Sequence, residues 1–110
     1  MKIKDVVVAM GALAHENRLL VYRELVQAGT EGVPAGELAE RLGIPANTLS
    51  FHLRALSHAD LVFTRHQGRF IYYSANYDQT NALIEFLTDN CCGGRPCPPM
   101  AKPARKRKSV

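Results

Sequence analysis

The 110-residue sequence contains no tryptophan, no cysteine before Cys91 and no histidine after His66. No apolar run approaches the roughly 18 residues that a helix needs to cross a bilayer. After Met1-Lys2-Ile3-Lys4, the polar residues Asp5, His15 and Glu16 interrupt the apolar positions, so no signal-peptide hydrophobic region follows. These absences predict a soluble, cytoplasmic chain with no membrane partner. The three cysteines, Cys91, Cys92 and Cys97, are odd in number and lie within seven residues. An odd, clustered set argues against a closed disulfide framework and for metal or redox chemistry. An enzyme is not expected. Ser57, His58 and Asp60 are present, but no nucleophile, base and orienting acid stand at a recognised spacing. Cys91 and Cys92 follow a predicted helix C-terminus, the wrong end of the helix dipole for activating a thiol.

Charge is unevenly placed. Residues 1–99 carry nine Lys/Arg against ten Asp/Glu, whereas residues 100–110 hold Lys102, Arg105, Lys106, Arg107 and Lys108 and no acid. The net charge of +4 is therefore mostly a tail. One reading of that tail is a solvated, disordered segment. The other is long-range attraction to nucleic acid. The length suits one domain that buries roughly two thirds of its unfolded surface, enough for a core but one that dimerisation would help.

Apolar periodicity sets out the elements. Ile3, Val6, Val7, Met10 and Leu13 recur at helical spacing. His15-Glu16-Asn17 reads as a polar break before a second helix carrying Leu19, Leu20, Tyr22, Leu25 and Val26, which stops at Gly29. Thr30–Val33 reads as a loop. Pro34 suits the first turn of a third helix, which runs through Glu37, Leu38, Ala39 and Leu42 to Gly43. After the turn Ile44-Pro45-Ala46-Asn47, a fourth helix extends to about Ser57. Leu61–His66 and Arg69–Ser74 are β-rich runs around a Gln67-Gly68 hairpin turn. Asn76 is placed to cap a last helix, with Thr80, Leu83, Ile84 and Leu87 as its buried stripe and an end near Asn90. Gly93, Gly94, Pro96, Pro98 and Pro99 then forbid regular structure.

Two short helices joined by a tight turn and followed by a hairpin predict a mostly α fold with a β-hairpin wing, the winged helix-turn-helix. Leu38, Leu42, Leu49, Leu53 and Leu56 can lock the third and fourth helices together. The polar face of the fourth, Thr48, Ser50, His52 and Arg54, with Asn47 at its start, is then left to enter a major groove. Arg65, Gln67 and Arg69 put two guanidiniums beside the wing tip, within reach of a backbone or a minor groove. Phe51 on the exposed side needs a reason: it covers the base of the wing or touches a thymine methyl. A winged helix that binds only protein is the competing class, separated from the first by operator binding.

The stretch Glu37-Leu38-Ala39-Glu40-Arg41-Leu42-Gly43 through Thr48-Leu49-Ser50-Phe51-His52-Leu53, then Leu61-Val62 and Gln67-Gly68-Arg69-Phe70-Ile71-Tyr72-Tyr73, closely resembles the ArsR/SmtB family of metal-responsive repressors. The resemblance covers roughly residues 3–92. It implies a homodimer paired through the first and last helices, a fourth helix that reads an inverted-repeat operator in double-stranded DNA, and metal that weakens DNA binding. The founding arsenic repressors carry a Cys-x-Cys ahead of the third helix. The matching positions here are Pro34 and Gly36, so that site is absent. The zinc-sensing members use Asp and His on the last helix. Asp78, Glu85 and Asp89 are there, but no histidine is.

What remains is Cys91-Cys92-Gly93-Gly94-Arg95-Pro96-Cys97, which resembles the C-terminal cysteine variant of the arsenic-responsive branch. Soft thiolates select thiophilic centres. Trivalent arsenic, as arsenite, takes three sulfurs in a pyramid, so Cys91, Cys92 and Cys97 complete a site. A structural zinc would want a fourth ligand. Antimonite and other thiophilic ions share this chemistry, and the same thiols could instead serve as a reversible redox sensor or be inert. The expected organisation is residues 1–90 as DNA-binding and dimerisation domain, 91–97 as metal-binding segment and 98–110 as basic tail.

Overall fold

A computed structural model describes residues 1–96. Its elements are α1 (Ile3–Leu13), α2 (Glu16–Ala28), β1 (Val33–Pro34), α3 (Ala35–Leu42), α4 (Ala46–His58), β2 (Val62–Gln67), β3 (Phe70–Ala75) and α5 (Tyr77–Thr88). A 3₁₀ turn, Cys91–Gly94, follows α5. The mostly α fold with a β wing is as expected. Among the described residues no helix is long and apolar enough to cross a membrane.

The polar break at His15 is a cap. His15 is the N-cap of α2, and its Nδ1 accepts the Asn17 N–H at 3.2 Å, filling one of the orphan donors of a helix start. The helix therefore begins at Glu16, earlier than its apolar residues suggest. At the far end of α3, Gly43 takes the left-handed conformation, φ 65° and ψ 32°, which glycine adopts without a Cβ penalty. Pro34 stands one residue outside α3, as its N-cap.

The expected loop at Thr30–Val33 ends in a strand. Val33 and Pro34 pair antiparallel with Tyr73 and Tyr72, so the sheet has three strands in the order β1-β3-β2. Two residues, one of them a proline, give no alternation to read, and proline is tolerated here because β1 is an edge. Gly32, at φ +85°, leads into it; a Cβ there would lie 2.6 Å from the carbonyl oxygen of Tyr73. The hairpin register runs from Val62↔Ala75 to Gln67↔Phe70. Gln67 is thus paired, and the turn is Gly68-Arg69 rather than Gln67-Gly68. Gly68 holds φ +64° at the first central position of a two-residue loop, where such turns place glycine.

The core lies where the helices meet the base of the hairpin. Leu25, Leu38, Leu49, Leu53, Leu56, Leu61, Val21 and Val33 are fully buried. Leu38 from α3 and Leu49, Leu53 and Leu56 from α4 form the expected lock. In α5, Asn76 caps the helix by accepting the Gln79 N–H. Four side-chain bonds seat it: Tyr77 Oη donates to the Val26 carbonyl at 2.8 Å, Asn76 Nδ2 to Asp60 at 2.8 Å, Gln79 Nε2 to Ala59 at 3.2 Å, and Tyr22 bonds Thr80.

The two end helices depart from expectation. In α1 the residues facing the core are Val6, Ala9 and Ala12, while Ile3, Val7, Val8 and Met10 lie on the surface. In α5 only Leu83 is buried; Ile84 is 53% and Leu87 57% exposed, and Phe86 is exposed too. Periodicity identifies apolar helices here, but each carries more apolar surface than one side can bury.

Candidate nucleic-acid interface and cysteine turn

Burial of its leucines leaves α4 one solvent face. Asn47, Thr48, Ser50, Phe51 and Arg54 are exposed on it. Asn47 Oδ1 accepts the Thr48 N–H at 2.9 Å, satisfying a free donor at the helix start. Two hydroxyls and an amide therefore stand in the first turns of a helix whose opposite side is fixed by packing, with the Arg54 guanidinium further along the same helix. Phe51 is 66% exposed. It lines an open apolar groove with Arg18, Arg54, Ala55 and His58, and does not cover the wing.

His52 does not belong to that face. It is 6% exposed, with Nδ1 buried and without a hydrogen-bond partner. It is a polar residue type on a helix that carries Thr48, Ser50 and Arg54, and residue type alone therefore points it outward. The geometry is decided by its i−3 and i+4 neighbours instead, Leu49 and Leu56, which are buried on the same side. Burial holds its imidazole below the ordinary range, and His15 and Arg18 push it further down.

The wing presents its two arginines differently. Arg65 bonds Gln67 and the Glu31 carbonyl, the latter at 2.9 Å, and its guanidinium lies 4.4 Å from the Tyr72 ring centroid. It is stacked and tethered, a cation–π arrangement. Its partner Tyr72 stands directly across the ladder, a pairing that the alternation of the two strands makes readable. Arg69 sits in the turn itself and is exposed.

Helix α5 ends at Thr88, two residues before the expected stop, and Asn90 takes the left-handed conformation. Cys91 and Cys92 then open the 3₁₀ turn, both exposed, with sulfurs 3.8 Å apart. Cys92 and Gly93 hold φ of 56° and 63°, the first an uncommon value for a side-chain-bearing residue. The turn is thus a sharp reversal that brings adjacent sulfurs together, which a continuing helix would not do. Cys97, named from sequence as the third ligand, lies outside the described residues. Among the described residues, no group of three or more His, Cys, Asp or Glu is placed to hold a metal ion.

Comparison with known proteins puts this architecture in context. A helix-turn-helix domain model matches residues 13–65, which span α2 through most of β2. The nodulation protein NolR of Rhizobium meliloti is 35% identical over 91 residues, covering 80% of this chain and 72% of the relative. The arsenical resistance operon repressor of Bacillus subtilis is 33% identical over 81 residues, covering 74% and 73%. Among solved structures, the homodimeric winged helix-turn-helix DNA-binding domain of a possible ArsR-family transcriptional regulator from Mycobacterium bovis superposes with a TM-score of 0.65 at 26% identity, over 87% of this chain and 89% of the other. Sequence relatives that span most of their own length, the order of elements and the solved neighbours agree: the chain belongs to the ArsR/SmtB family of winged helix-turn-helix transcriptional regulators.

Proposed function

We propose that this regulator is a homodimeric repressor that binds an inverted-repeat operator and is released by trivalent arsenic held by Cys91, Cys92 and Cys97. The winged-helix architecture and the homodimeric, DNA-binding neighbour from Mycobacterium bovis support the first half. Asn47, Thr48, Ser50 and Arg54 contact base edges and phosphates, and Arg69 with the Arg65–Gln67 pair contacts the flanking backbone. The exposed apolar residues of α1 (Ile3, Val7, Met10) and α5 (Ile84, Leu87) are what a second copy would cover.

The observation that carries the arsenic reading is the 3.8 Å separation of the Cys91 and Cys92 sulfurs. It is too long for a disulfide, about 2.05 Å. Adjacent sulfurs in contact need only a small rotation to become two ligands of a single thiophilic atom, and soft thiolates select such centres. Cys97 supplies the third sulfur. The relative named for arsenical resistance supports the choice of arsenic; antimonite fits the same donors.

Release follows from linkage. Arsenic bound beyond α5 must favour an arrangement of the two protomers that holds DNA less well, and DNA must then weaken arsenic binding by the same factor, typically about 5–150-fold. The test is operator binding by each Cys→Ser variant with and without arsenite. Each variant is expected to bind the operator normally and to respond weakly. A Cys97→Ser protein released as readily as the parent would reduce the site to two thiols. Normal release of all three variants would refute cysteine sensing. Release by an oxidant and recovery with dithiothreitol, without an arsenite response, would assign the cysteines to redox sensing.

A further inference from the structure

At the junction of α1 and α2, on the packed side of α4, three basic side chains meet with no acid among them. His52 of α4 is 6% exposed, and its Nδ1 is buried without a partner. The His15 ring stands 4.8 Å from it, centroid to centroid, tilted by 54°. Arg18 Nε is likewise buried and unpartnered, while its Nη1 reaches the Ala12 carbonyl at 3.5 Å. Buried polar groups without partners are few in native structures and call for an explanation. Here two occur in one cluster, at the contact between α4 and the start of α2.

We propose that this cluster is a proton-sensing site, in which protonation of His52 unseats α4 from the α1–α2 junction and lowers the affinity for DNA. The inference rests on the reading of α4 as the helix that docks on DNA. Neutral His52 tolerates its place. An imidazolium there would be desolvated beside a permanent guanidinium and a second imidazole. The charged and titratable groups acting on it are His15 and Arg18, both from the start of α2. Glu16, next to His15 at the start of α2, is exposed. The acids of α2 and α3 nearest in the fold to a cation, Glu24 and Glu37, are already held by Arg41. Arg54 and His58 of α4 itself are exposed and line the open groove beside Phe51.

The sign follows from the direction of the shift. The imidazole is lowered in the seated state and ordinary, about 6.5, once exposed. Seating is therefore at full strength above that ordinary value. It weakens as pH falls through it towards the seated value, because the unseated state takes up the proton first. Bulk electrostatics runs the other way, because positive charge gained on acidification strengthens attraction to a polyanion. A loss of affinity in acid is thus a specific signature.

The experiment has two readouts on the full-length protein. An NMR titration of the four imidazoles should place His52 below its ordinary value and move it upwards in Arg18→Gln. Operator affinity between pH 8 and 5.5 at constant ionic strength should fall by at most about tenfold per pH unit per protomer, the limit for one proton taken up. The fall should be shallower in Arg18→Gln and absent in His52→Gln. Should His52→Gln fail to fold by circular dichroism, Arg18→Gln and the titration decide. His52 titrating at or above its ordinary value, or parent affinity that is flat or rises in acid, overturns the proposal. Absence of operator binding at pH 8 would refute the reading of α4, and the regulatory consequence with it. The titration would still decide whether the cluster repels a proton.

Discussion

Replacing Gly32 by alanine should destabilise the fold far more than a surface glycine change normally does. Two costs combine. At φ +85° an L-residue is strained by roughly 1–2 kcal/mol. The added Cβ would also lie 2.6 Å from the Tyr73 carbonyl oxygen, a backbone atom of the central strand that cannot rotate away. Relief requires β1 to withdraw from β3, which loosens the short Val33↔Tyr73 and Pro34↔Tyr72 ladder at about 1 kcal/mol per hydrogen bond. The sum is about 3–4 kcal/mol. Gly43→Ala is the control. Gly43 has a similar φ of 65°, but nothing lies within 4 Å of its Cβ position, so it should cost only the strain, about 1–2 kcal/mol. Urea unfolding of both variants, at matched protein concentrations because a dimer's stability depends on them, gives the difference directly. Equal losses, within about 0.5 kcal/mol, would show that the close approach to Tyr73 carries no energy.

Other expectations concern DNA. Thr48→Ala with Ser50→Ala should weaken operator binding by about 1–3 kcal/mol for each good hydrogen-bonded base pairing that disappears while leaving circular dichroism unchanged; unaltered affinity at fixed salt would move recognition off α4. Deleting residues 101–110, or replacing the exposed turn residue Arg69 by alanine, should flatten the salt dependence of binding and preserve the preference for operator over random DNA. Disappearance of that preference on deletion would mean that the basic segment reads sequence.

Much of this architecture is legible in the residues. Leucine spacing places α3 and α4 against each other, and glycine and asparagine mark the hairpin turn and the last cap. Three features escape for physical reasons. β1 is two residues long and half proline, so neither alternation nor propensity announces it; Gly32, which must be glycine to pass Tyr73, is the one available signal. His52 reads as one of the polar residues of α4 because residue type says nothing about which side of a helix a residue occupies; counting from Leu49 and Leu56 places it inside. The apolar residues of α1 and α5 read as core stripes because periodicity does not distinguish burial within a chain from burial between chains. An end to the last helix near Cys91 is expected from Gly93, Gly94 and Pro96, but the left-handed residues at Asn90 and Cys92 follow from chain geometry that these residue types do not encode.

The edge strand has a mechanical meaning for regulation. Pro34 pairs with the hairpin and caps α3 at once, while Arg65 reaches from the hairpin to the Glu31 carbonyl. Hairpin and helix pair are thereby riveted at two points into one block, with no joint between wing and recognition helix. On the proposed function, an inducer acting beyond α5 would then have little to gain by bending a protomer internally. It would have to work at the seam between two such blocks, changing the distance and tilt at which they present themselves to successive grooves. Small displacements suffice there, because each rigid block carries a shift at its seam undiminished to its far end.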